Sequence, residues 1–250
     1  MKVVRIQEME NYILANGTVS IDDLCERFGV SKNTVRRDIN RLSEKGVIEK
    51  VYGGVTATEK QLIPFENRHH VYNDEKVRIA LHAASFIEDQ DFVYIDSGTT
   101  TKWMFDDFPE DKSITILTNN LDVINAVSEK ENIELFVLGN HYQVKTRSFV
   151  SISGLSLLNK YNVDKAFMAC TGASITKGLT NADLHEYEVK KSIVQKENEL
   201  FLLADASKFG QSTMLTYAPL SRADHIITSA PLDEAYEEYC KTENITLHIV

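Results

Sequence analysis

From residue 75 onward, helical and strand-like patterns alternate, and this alternation restricts the fold more than any other feature of the sequence. The spacing of Val77, Ala80 and Ala84 predicts a helix that begins at Glu75. The strand candidates are short apolar runs at 92–95, 114–117, 133–138, 165–170, 200–204 and 225–228. Further helical candidates lie between them, around 100–105, 121–129, 151–159 and 184–197. Such alternation is typical of an α/β domain with a mainly parallel sheet.

Small, hydroxyl-bearing and acidic residues follow the predicted strands. Ligands of parallel α/β sheets bind beyond the carboxyl ends of the strands, so these residues are the candidate site. They are Asp96, Ser97, Gly98, Thr99, Thr100, Thr118, Asn119, Gly172 and Asp205. Gly98 permits close backbone approach, and the free N–H groups of a following helix would favour an anion such as phosphate. The chain lacks the P-loop and G-x-G-x-x-G patterns here, so no nucleotide cofactor is indicated.

Two lysines could add positive charge to that edge of the sheet. Lys190 lies on the helix expected over 184–197, and Lys208 follows Asp205 by three residues. A basic residue beside a cluster of hydroxyl groups suits a sugar phosphate. Solvated surface lysines explain the same two residues equally well.

No metal site is expected. The adjacent His69 and His70 face different directions in a helix or a strand, and no ligand-like spacing accompanies them. His185-Glu186-Tyr187-Glu188 does not match the H-E-x-x-H pattern of zinc hydrolases.

The first 55 residues contain three successive helical patterns. Ile6, Met9 and Ile13 share a face of the first helix, and Ser20 begins the second. Ser31 caps the third helix, whose apolar stripe contains Val35, Ile39 and Leu42. Two short helices joined by a turn that contains Gly are the sequence form of a helix-turn-helix. The alternating residues on either side of Gly53-Gly54 predict a two-stranded wing.

Polar and basic side chains cover the outer face of the third helix. Because an α-helix fits the major groove, Arg can pair with guanine and Asn with adenine there. The candidate DNA-binding residues are Ser31, Lys32, Asn33, Thr34, Arg36 and Arg37 on this helix, and Lys50 and Tyr52 on the wing. The alternative is a small helical domain with a solvated charged face.

The charge distribution supports two separate parts. The net charge of −10 alone argues against a nucleic-acid partner. However, residues 1–56 carry nine basic and eight acidic side chains, whereas residues 57–250 carry 18 and 29. The acidity therefore belongs to the second part.

Composition places the chain in a reducing compartment away from the membrane. No apolar run approaches the length of a membrane span, and the N-terminal residues lack the apolar stretch of a secretory signal. The three cysteines are odd in number and widely spaced, which argues against a disulfide framework. We expect a cytoplasmic protein.

Several motifs in the first part resemble the N-terminal signature of the DeoR family of bacterial repressors. They are Ser31-x-x-Thr34-Val35-Arg36-Arg37-Asp38-Ile39-x-x-Leu42, Gly46-x-Ile48 and Tyr52-Gly53-Gly54-Val55. The family usually carries His-Gly-Gly-Ala in the wing, so the two glycines are kept and the ring differs.

The second part resembles the effector domain of the same family. The matching segments, in the usual order, are Asp96-Ser97-Gly98-Thr99-Thr100, Thr118-Asn119, Gly178-Leu179-Thr180, Val189-Lys190 and Asp205-x-Ser207-Lys208-Phe209-Gly210. Gly139-Asn140 replaces a usual Gly-Gly pair, and Ser151 stands where Gly is expected. The resemblance also implies that Arg147 is a cation on the effector side.

The resemblance implies a winged helix-turn-helix domain over 1–56, a linker over 57–74 and an α/β sensor domain over 75–250 that resembles ribose-phosphate isomerase. It implies a non-enzymatic repressor of a carbohydrate operon that binds double-stranded operator DNA as a homo-oligomer, a dimer or a tetramer. A phosphorylated sugar would be the inducer, with no cofactor.

Two other functions stay open on the residues alone. One is a sugar-phosphate isomerase-like enzyme with an appended DNA-binding head, in which Asp96, Asp205 and Lys190 act as acid/base groups. The other is an interaction module that does not bind DNA.

Overall fold

The computed structural model describes residues 2–16, 18–44, 48–57, 73–150, 158 and 160–250. The chain forms two compact units, Met1–Val71 and Tyr72–Val250. Most of the expected linker, with His69 and His70, lies outside the described residues, as do Gly46, Ser151 and most of the helix expected over 151–159.

Three helices build the N-terminal unit: α1 (Lys2–Asn16), α2 (Ile21–Phe28) and α3 (Lys32–Glu44). Ser20 and Asp23 cap α2 reciprocally, because each side chain accepts the other residue's backbone N–H. Gly29 ends α2 with φ 59°, a conformation that glycine adopts without strain. The three helices enclose one apolar core that includes Met9, Leu24 and Val35.

A small antiparallel sheet completes this unit. It consists of β1 (Thr18–Ser20), β2 (Ile48–Val51) and β3 (Gly54–Ala57), in the order β1-β3-β2. The expected wing is therefore confirmed, and β1 is an addition. Gly54 is required at its position, since a Cβ there would lie 2.4 Å from the carbonyl oxygen of Val19.

A seven-stranded sheet forms the centre of the C-terminal unit, with all its strands parallel. The strands are β4 (Phe92–Ile95), β5 (Ile114–Thr118), β6 (Ile133–Val137), β9 (Lys165–Ala169), β12 (Glu199–Leu203), β14 (His225–Thr228) and β15 (Thr246–Ile249). Their order is β15-β14-β12-β9-β4-β5-β6. The six expected strands form within one residue of their predicted bounds, so the α/β fold class is confirmed, and β15 extends the sheet.

Helices pack on both faces of this sheet. They are α4 (Asn73–Ala84), α5 (Leu121–Val127), α6 (Leu184–Val194) and α7 (Glu234–Thr242). Ile79 of α4 shares a core with Phe201, whereas Val189 of α6 and Tyr236 of α7 share the other core with Leu202. Phe201 and Leu202 are consecutive, so their side chains point to opposite faces of β12.

Two antiparallel additions lie outside the main sheet and were not expected from the sequence. One is the hairpin of β7 (His141–Gln143) and β8 (Ser148–Val150). The other is a sheet of β10 (Gly172–Ser174), β11 (Gly178–Asn181) and β13 (Leu215–Ala218).

The helix expected around 100–105 is wrong. The chain forms only a 3-10 turn over Thr101–Trp103. The Thr101 hydroxyl donates to the carbonyl of Asp96 at 2.6 Å and accepts the N–H of Gly98 at 3.0 Å, so the segment closes on itself. One such turn has a much smaller dipole than a full helix, which weakens the predicted helix-terminus attraction for an anion.

Among the described residues, no helix is both long and apolar enough to cross a membrane.

Candidate functional site

The outer face of α3 is a polar and basic surface. Lys32, Asn33, Arg36 and Arg37 are exposed, and Thr34 is half-buried. The apolar stripe lies on the opposite side and is buried in the core of the N-terminal unit. The structure therefore places the predicted DNA-binding side chains together, outside the core.

A buried ion pair holds α3 against α1. Arg5 donates to one oxygen of Asp38 through Nε at 3.0 Å and Nη2 at 2.8 Å. Asp38 is fully buried, and its partner is mostly covered. Asp38 lies between the exposed Arg37 and the buried Ile39 in the sequence. The ion pair therefore helps to hold α3 in the orientation that exposes Arg37.

The first turn of α3 has local polar partners. The Ser31 hydroxyl accepts the backbone N–H of Thr34 at 3.4 Å, and the two hydroxyl oxygens lie 3.1 Å apart. Lys32 pairs with Asp22 of α2 at 2.5 Å, and both side chains are mostly exposed. An exposed pair of this kind contributes little to stability, so Lys32 can exchange this partner for a phosphate at small cost.

The wing presents an aromatic side chain at its tip. Tyr52 has a relative exposure of 108%, and Lys50 is also exposed. The turn is held in place, because the N–H of Ile21 donates to the carbonyl of Gly53 at 3.1 Å. Gly53 itself has φ +79°, which strongly favours glycine.

A buried polar cluster lies at the carboxyl edge of the parallel sheet in the C-terminal unit. Its centre is the ion pair of Lys190 and Asp96, in which Nζ of Lys190 contacts Oδ2 of Asp96. Lys190 also donates to the carbonyl of Ala169 at 2.8 Å. Lys190 is only 3% exposed and Asp96 only 1%. The ammonium group is therefore an internal partner of Asp96 rather than a free surface cation.

A second buried carboxyl group, Glu186, joins this cluster from one helical turn before Lys190. Glu186 accepts the hydroxyl of Ser97 at 3.0 Å and the amide of Asn181 at 3.0 Å. Burial raises the pKa of Glu186, and the nearby charge of Asp96 raises it further. Lys190 and the bond from Asn181 act in the opposite direction and are outweighed.

Two buried phenols border the same cluster. Tyr94 donates to Asn119 at 3.2 Å, and Tyr217 donates to the carbonyl of Ala169 at 3.2 Å. Burial raises the pKa of both Tyr94 and Tyr217, with Asp96 adding to the effect, so both stay neutral donors.

The other predicted residues of the strand ends are also buried. Gly98 lies against β9, since a Cβ there would come 2.4 Å from Cβ of Ala169. Thr99 and Thr100 are buried, and the Thr118 hydroxyl donates to the carbonyl of Ile95 at 2.7 Å. Gly172 is closely covered by the backbone of 211–212. These residues gather at one edge of the sheet, as the strand ends predict.

The side chains of Asp205 and Lys208 are incompletely paired. Oδ1 of Asp205 accepts the N–H of Ser207 at 3.1 Å, while its buried Oδ2 has no hydrogen-bond partner. The ammonium of Lys208 lies 3.9 Å from Oδ2, beyond hydrogen-bond distance. Asp205 therefore keeps an acceptor for a further donor.

Arg147 forms an ion pair with Asp122. Its guanidinium pairs with Asp122 in the first turn of α5, through Nε at 3.0 Å and also through Nη2. Its backbone has φ 49°, and its carbonyl accepts the N–H of Leu121 at 3.0 Å. Arg147 therefore stabilises the first turn of α5.

Within the described residues, no group of three or more His, Cys, Asp or Glu side chains could hold a metal ion.

Comparisons with known proteins identify both units. The model of the DeoR C-terminal sensor domain matches residues 72–230, and that of the DeoR-like helix-turn-helix domain matches residues 5–61. The chain is 59% identical over 250 residues to the HTH-type transcriptional regulator IolR of Bacillus subtilis (strain 168), covering 100% of both chains.

The chain belongs to the DeoR family of transcriptional regulators.

A second relative is the glycerol-3-phosphate regulon repressor of Escherichia coli (strain K12). It is 29% identical over 216 residues, which is 86% of each chain. A solved structure that matches is ribose 5-phosphate isomerase A of Methanocaldococcus jannaschii, with a TM-score of 0.40, 18% identity and 54% of each chain covered. A likeness this distant does not bear on function.

Sequence reasoning on this DeoR-family chain missed several polar residues of the buried cluster. Glu186 lies four residues before Lys190, so the two share a helix face, and that spacing could have identified it. Asn181, Tyr94 and Tyr217 carry no such local signal, because their partners come from distant segments.

Proposed function

We propose that this DeoR-family protein is a repressor of a carbohydrate-metabolism operon, and that a phosphorylated sugar bound to its C-terminal unit relieves repression. The observation that carries the proposal is the exposed basic face of α3 within a winged helix-turn-helix. The relative named as a glycerol-3-phosphate regulon repressor supports a small phosphorylated carbohydrate as the signal.

On the DNA side, the proposal assigns base contacts to Asn33, Arg36 and Arg37, because N-terminal residues of a recognition helix reach base edges. Backbone phosphates would be contacted from the same helix and from the wing. Those contacts belong to Ser31, Lys32, Thr34, Lys50 and Tyr52. All of these side chains except half-buried Thr34 are exposed.

On the effector side, the proposal places the ligand at the carboxyl edge of the sheet. Lys208 would supply a positive charge for the phosphate. The unpaired oxygen of Asp205 would accept a sugar hydroxyl. Lys190 would act by holding Asp96 in place. We propose that other residues around the ligand also contact it, namely Ser97, Gly98, Thr99, Thr100, Thr118, Asn119 and Gly172. Arg147 would add positive charge at the rim of the site.

The two sites must be coupled for the sugar to act as an inducer. A ligand shifts DNA affinity only if it prefers the conformation that binds operator poorly. We propose the reading domain over 1–56, the linker over 57–74 and the sensor over 75–250. A homo-oligomer, either a dimer or a tetramer, would present two reading domains to repeated half-sites.

The proposal assigns no catalytic step and no cofactor, and it places the protein in the cytoplasm with its operator. The enzyme alternative requires a free acid/base group. Lys190 and Asp96 are occupied by each other in a buried pair, which disfavours an acid/base role for either.

The experiment is an operator titration followed by fluorescence anisotropy at fixed salt. Double-stranded DNA selected from a random library by the full chain would serve as operator. A panel of pentose, hexose and polyol phosphates would then be added, with each unphosphorylated sugar as its matched control. One phosphorylated member should raise the Kd for operator at least about tenfold, equivalent to about 1.4 kcal/mol. Absence of DNA binding at low salt, or turnover of a sugar phosphate by the pure protein, would contradict the proposal.

A further inference from the structure

The first turn of α4 is hydrogen-bonded to the carboxyl end of β14. Glu75 lies in that turn, and it is the first residue after the proposed linker. Ser229 directly follows β14, and its hydroxyl donates to Oε2 of Glu75 at 2.7 Å. Both residues are half-buried, although they are 154 positions apart in the sequence. The start of the C-terminal unit is therefore attached to the edge of the sheet that carries the proposed effector site.

The hydroxyl of Ser229 also contacts the segment that carries Asp205 and Lys208. The backbone N–H of Ala206 donates to Oγ of Ser229 at 3.4 Å. Ala206 begins the 3-10 turn Ala206–Lys208. A hydroxyl has one proton, which Ser229 gives to Glu75, so the bond from Ala206 uses a lone pair. Ala206, Ser229 and Glu75 thus form a continuous chain of hydrogen bonds, which we call the relay.

The two bonds of the relay differ in strength. The bond from Ser229 to Glu75 is short, and a carboxylate is a strong acceptor. The bond from Ala206 to Ser229 is longer than the usual N–H···O limit of about 3.2 Å. A phosphate oxygen is a better acceptor than a hydroxyl at that distance. The N–H of Ala206 is therefore the member of the relay that a ligand can most easily take over.

The helix α4 also contacts the other segment of the proposed effector site. It packs on the 3-10 turn Thr101–Trp103, and its Ile79 and Ala83 share a buried core with Phe105. The hydroxyl of Thr101 closes the preceding turn by bonding to the backbone of Asp96 and Gly98. The helix that follows the linker is therefore linked to both segments that the proposed function assigns to the ligand.

We propose that Ser229 and Glu75 are positioning residues that transmit effector binding to the linker, an inference that rests on the proposed function. A phosphate held by Lys208 accepts the N–H of Ala206 in place of Ser229. Ser229 then loses one of its two partners, and Glu75 shifts with it. This moves the first turn of α4, which is the point where the linker begins. A ligand that prefers the shifted conformation lowers the affinity for operator.

Hydrogen exchange of the full chain tests the relay without DNA or ligand. Glu75→Ala removes the acceptor that orients the hydroxyl of Ser229, so the N–H of Ala206 loses protection. Exchange of the segment 205–209, followed by mass spectrometry, should become at least about threefold faster. Unchanged exchange of 205–209 in Glu75→Ala would overturn the relay.

The matched control is Ser85→Ala, at the opposite end of α4. The hydroxyl of Ser85 donates to the carbonyl of His82 at 2.7 Å, so this variant also removes one polar contact of the helix. It should leave the exchange of 205–209 unchanged. Equal acceleration in Ser85→Ala and Glu75→Ala would overturn the relay, because the effect would then reflect a general loosening of α4.

Operator binding tests whether the relay transmits the signal. The probes are the pentose, hexose and polyol phosphates of the operator titration. In Ser229→Ala, the probe that acts on the wild type should raise the Kd for operator by less than about twofold. The Kd of operator without probe, and of probe without DNA, should each stay within about twofold of wild type. Ser229→Thr keeps the hydroxyl and should retain the full response.

Each outcome of the binding experiment decides a separate point. A full response in Ser229→Ala, or an equal loss in Ser229→Ala and Ser229→Thr, would overturn the relay. Weaker binding of the probe to Ser229→Ala without DNA would place Ser229 in the ligand site and would also overturn it. A wild type that responds to no probe contradicts the proposed function, whereas the exchange experiment decides the relay by itself. Circular dichroism would verify that all variants are folded.

Discussion

Two sets of basic side chains, one on α3 and one in the buried cluster of the C-terminal unit, lie in opposite environments. On α3, Arg36 and Arg37 are exposed and extend from a helix whose other face is in the core. In the C-terminal unit, Lys190 is buried and bound to Asp96 and to the carbonyl of Ala169. The first arrangement presents charge to a partner, while the second uses charge to hold a carboxylate in place.

This contrast indicates how each unit can recognise an anion. A DNA backbone is large and highly charged, so an exposed basic face can bind it at the surface. A small ligand needs groups held in a fixed position, and each buried polar group must then find a partner. Asp205 is buried and Lys208 is mostly buried, yet their pairing is incomplete, because the ammonium lies 3.9 Å from Oδ2 of Asp205.

The largest expected effect comes from breaking the buried pair. Lys190→Met should reduce the free energy of unfolding by about 3–5 kcal/mol, because it leaves Asp96 charged and uncompensated. Urea unfolding followed by circular dichroism measures the loss. The adjacent Lys191 is exposed, so Lys191→Met should change stability by no more than about 0.5 kcal/mol. Equal effects at the two positions would remove the distinction between the units.

The next effect concerns DNA recognition. Arg37→Ala should cost about 1–3 kcal/mol of operator binding and relax the preference for one base pair. Anisotropy with operator variants, each changed at one base pair, measures both effects. Lys50→Ala is the matched control, since loss of a phosphate contact weakens all sequences alike. An unaltered base preference in Arg37→Ala would assign that side chain to the backbone.

A smaller effect should appear in the pH dependence of stability. The pKa of Glu186 is raised above its ordinary value of 4.5 by burial, so folding favours the protonated form. Relative to Glu186→Gln, the wild type should therefore lose stability as the pH rises above that value, and the two should converge below it. Urea unfolding at a series of pH values gives this comparison. Glu188→Gln, exposed on the same helix, should show no such trend.

Only a small change in stability is expected at Lys32. Lys32→Ala removes an exposed pair with Asp22 and should alter the free energy of unfolding by less than about 1 kcal/mol. It should nevertheless reduce the slope of log K against log salt for operator binding by about 1. Asp22→Ala should leave that slope unchanged. If Lys32→Ala also leaves it unchanged, Lys32 makes no phosphate contact.

The sequence predicts the recognition helix well because its determinants are local. Ser31 at the start and the spacing of Val35, Ile39 and Leu42 settle both the bounds and the exposed face. By contrast, β1 has only three residues and forms by pairing with β3, about 35 residues later in the chain. No local sequence pattern predicts a pairing between such distant segments.

The candidate site divides in the same way. The strand ends predict that Asp96, Thr118 and Asp205 gather at one edge of the sheet, since parallel strands align their carboxyl ends. The partner of Lys190 lies 94 residues away in sequence, so its burial could not be read from a helical pattern. The turn at Thr101–Trp103 depends on a hydroxyl bonding to the backbone of Asp96, which competes with helix formation.

The central claim is that operator and sugar phosphate bind separate units of one coupled protein. Its most direct test measures the Kd of the identified sugar phosphate by calorimetry, with and without saturating operator. Coupling is reciprocal, so the operator must weaken ligand binding by the same factor by which the ligand weakens operator binding. Equal factors of about 5–150 are the predicted result. A ligand Kd that the operator leaves unchanged would contradict the account.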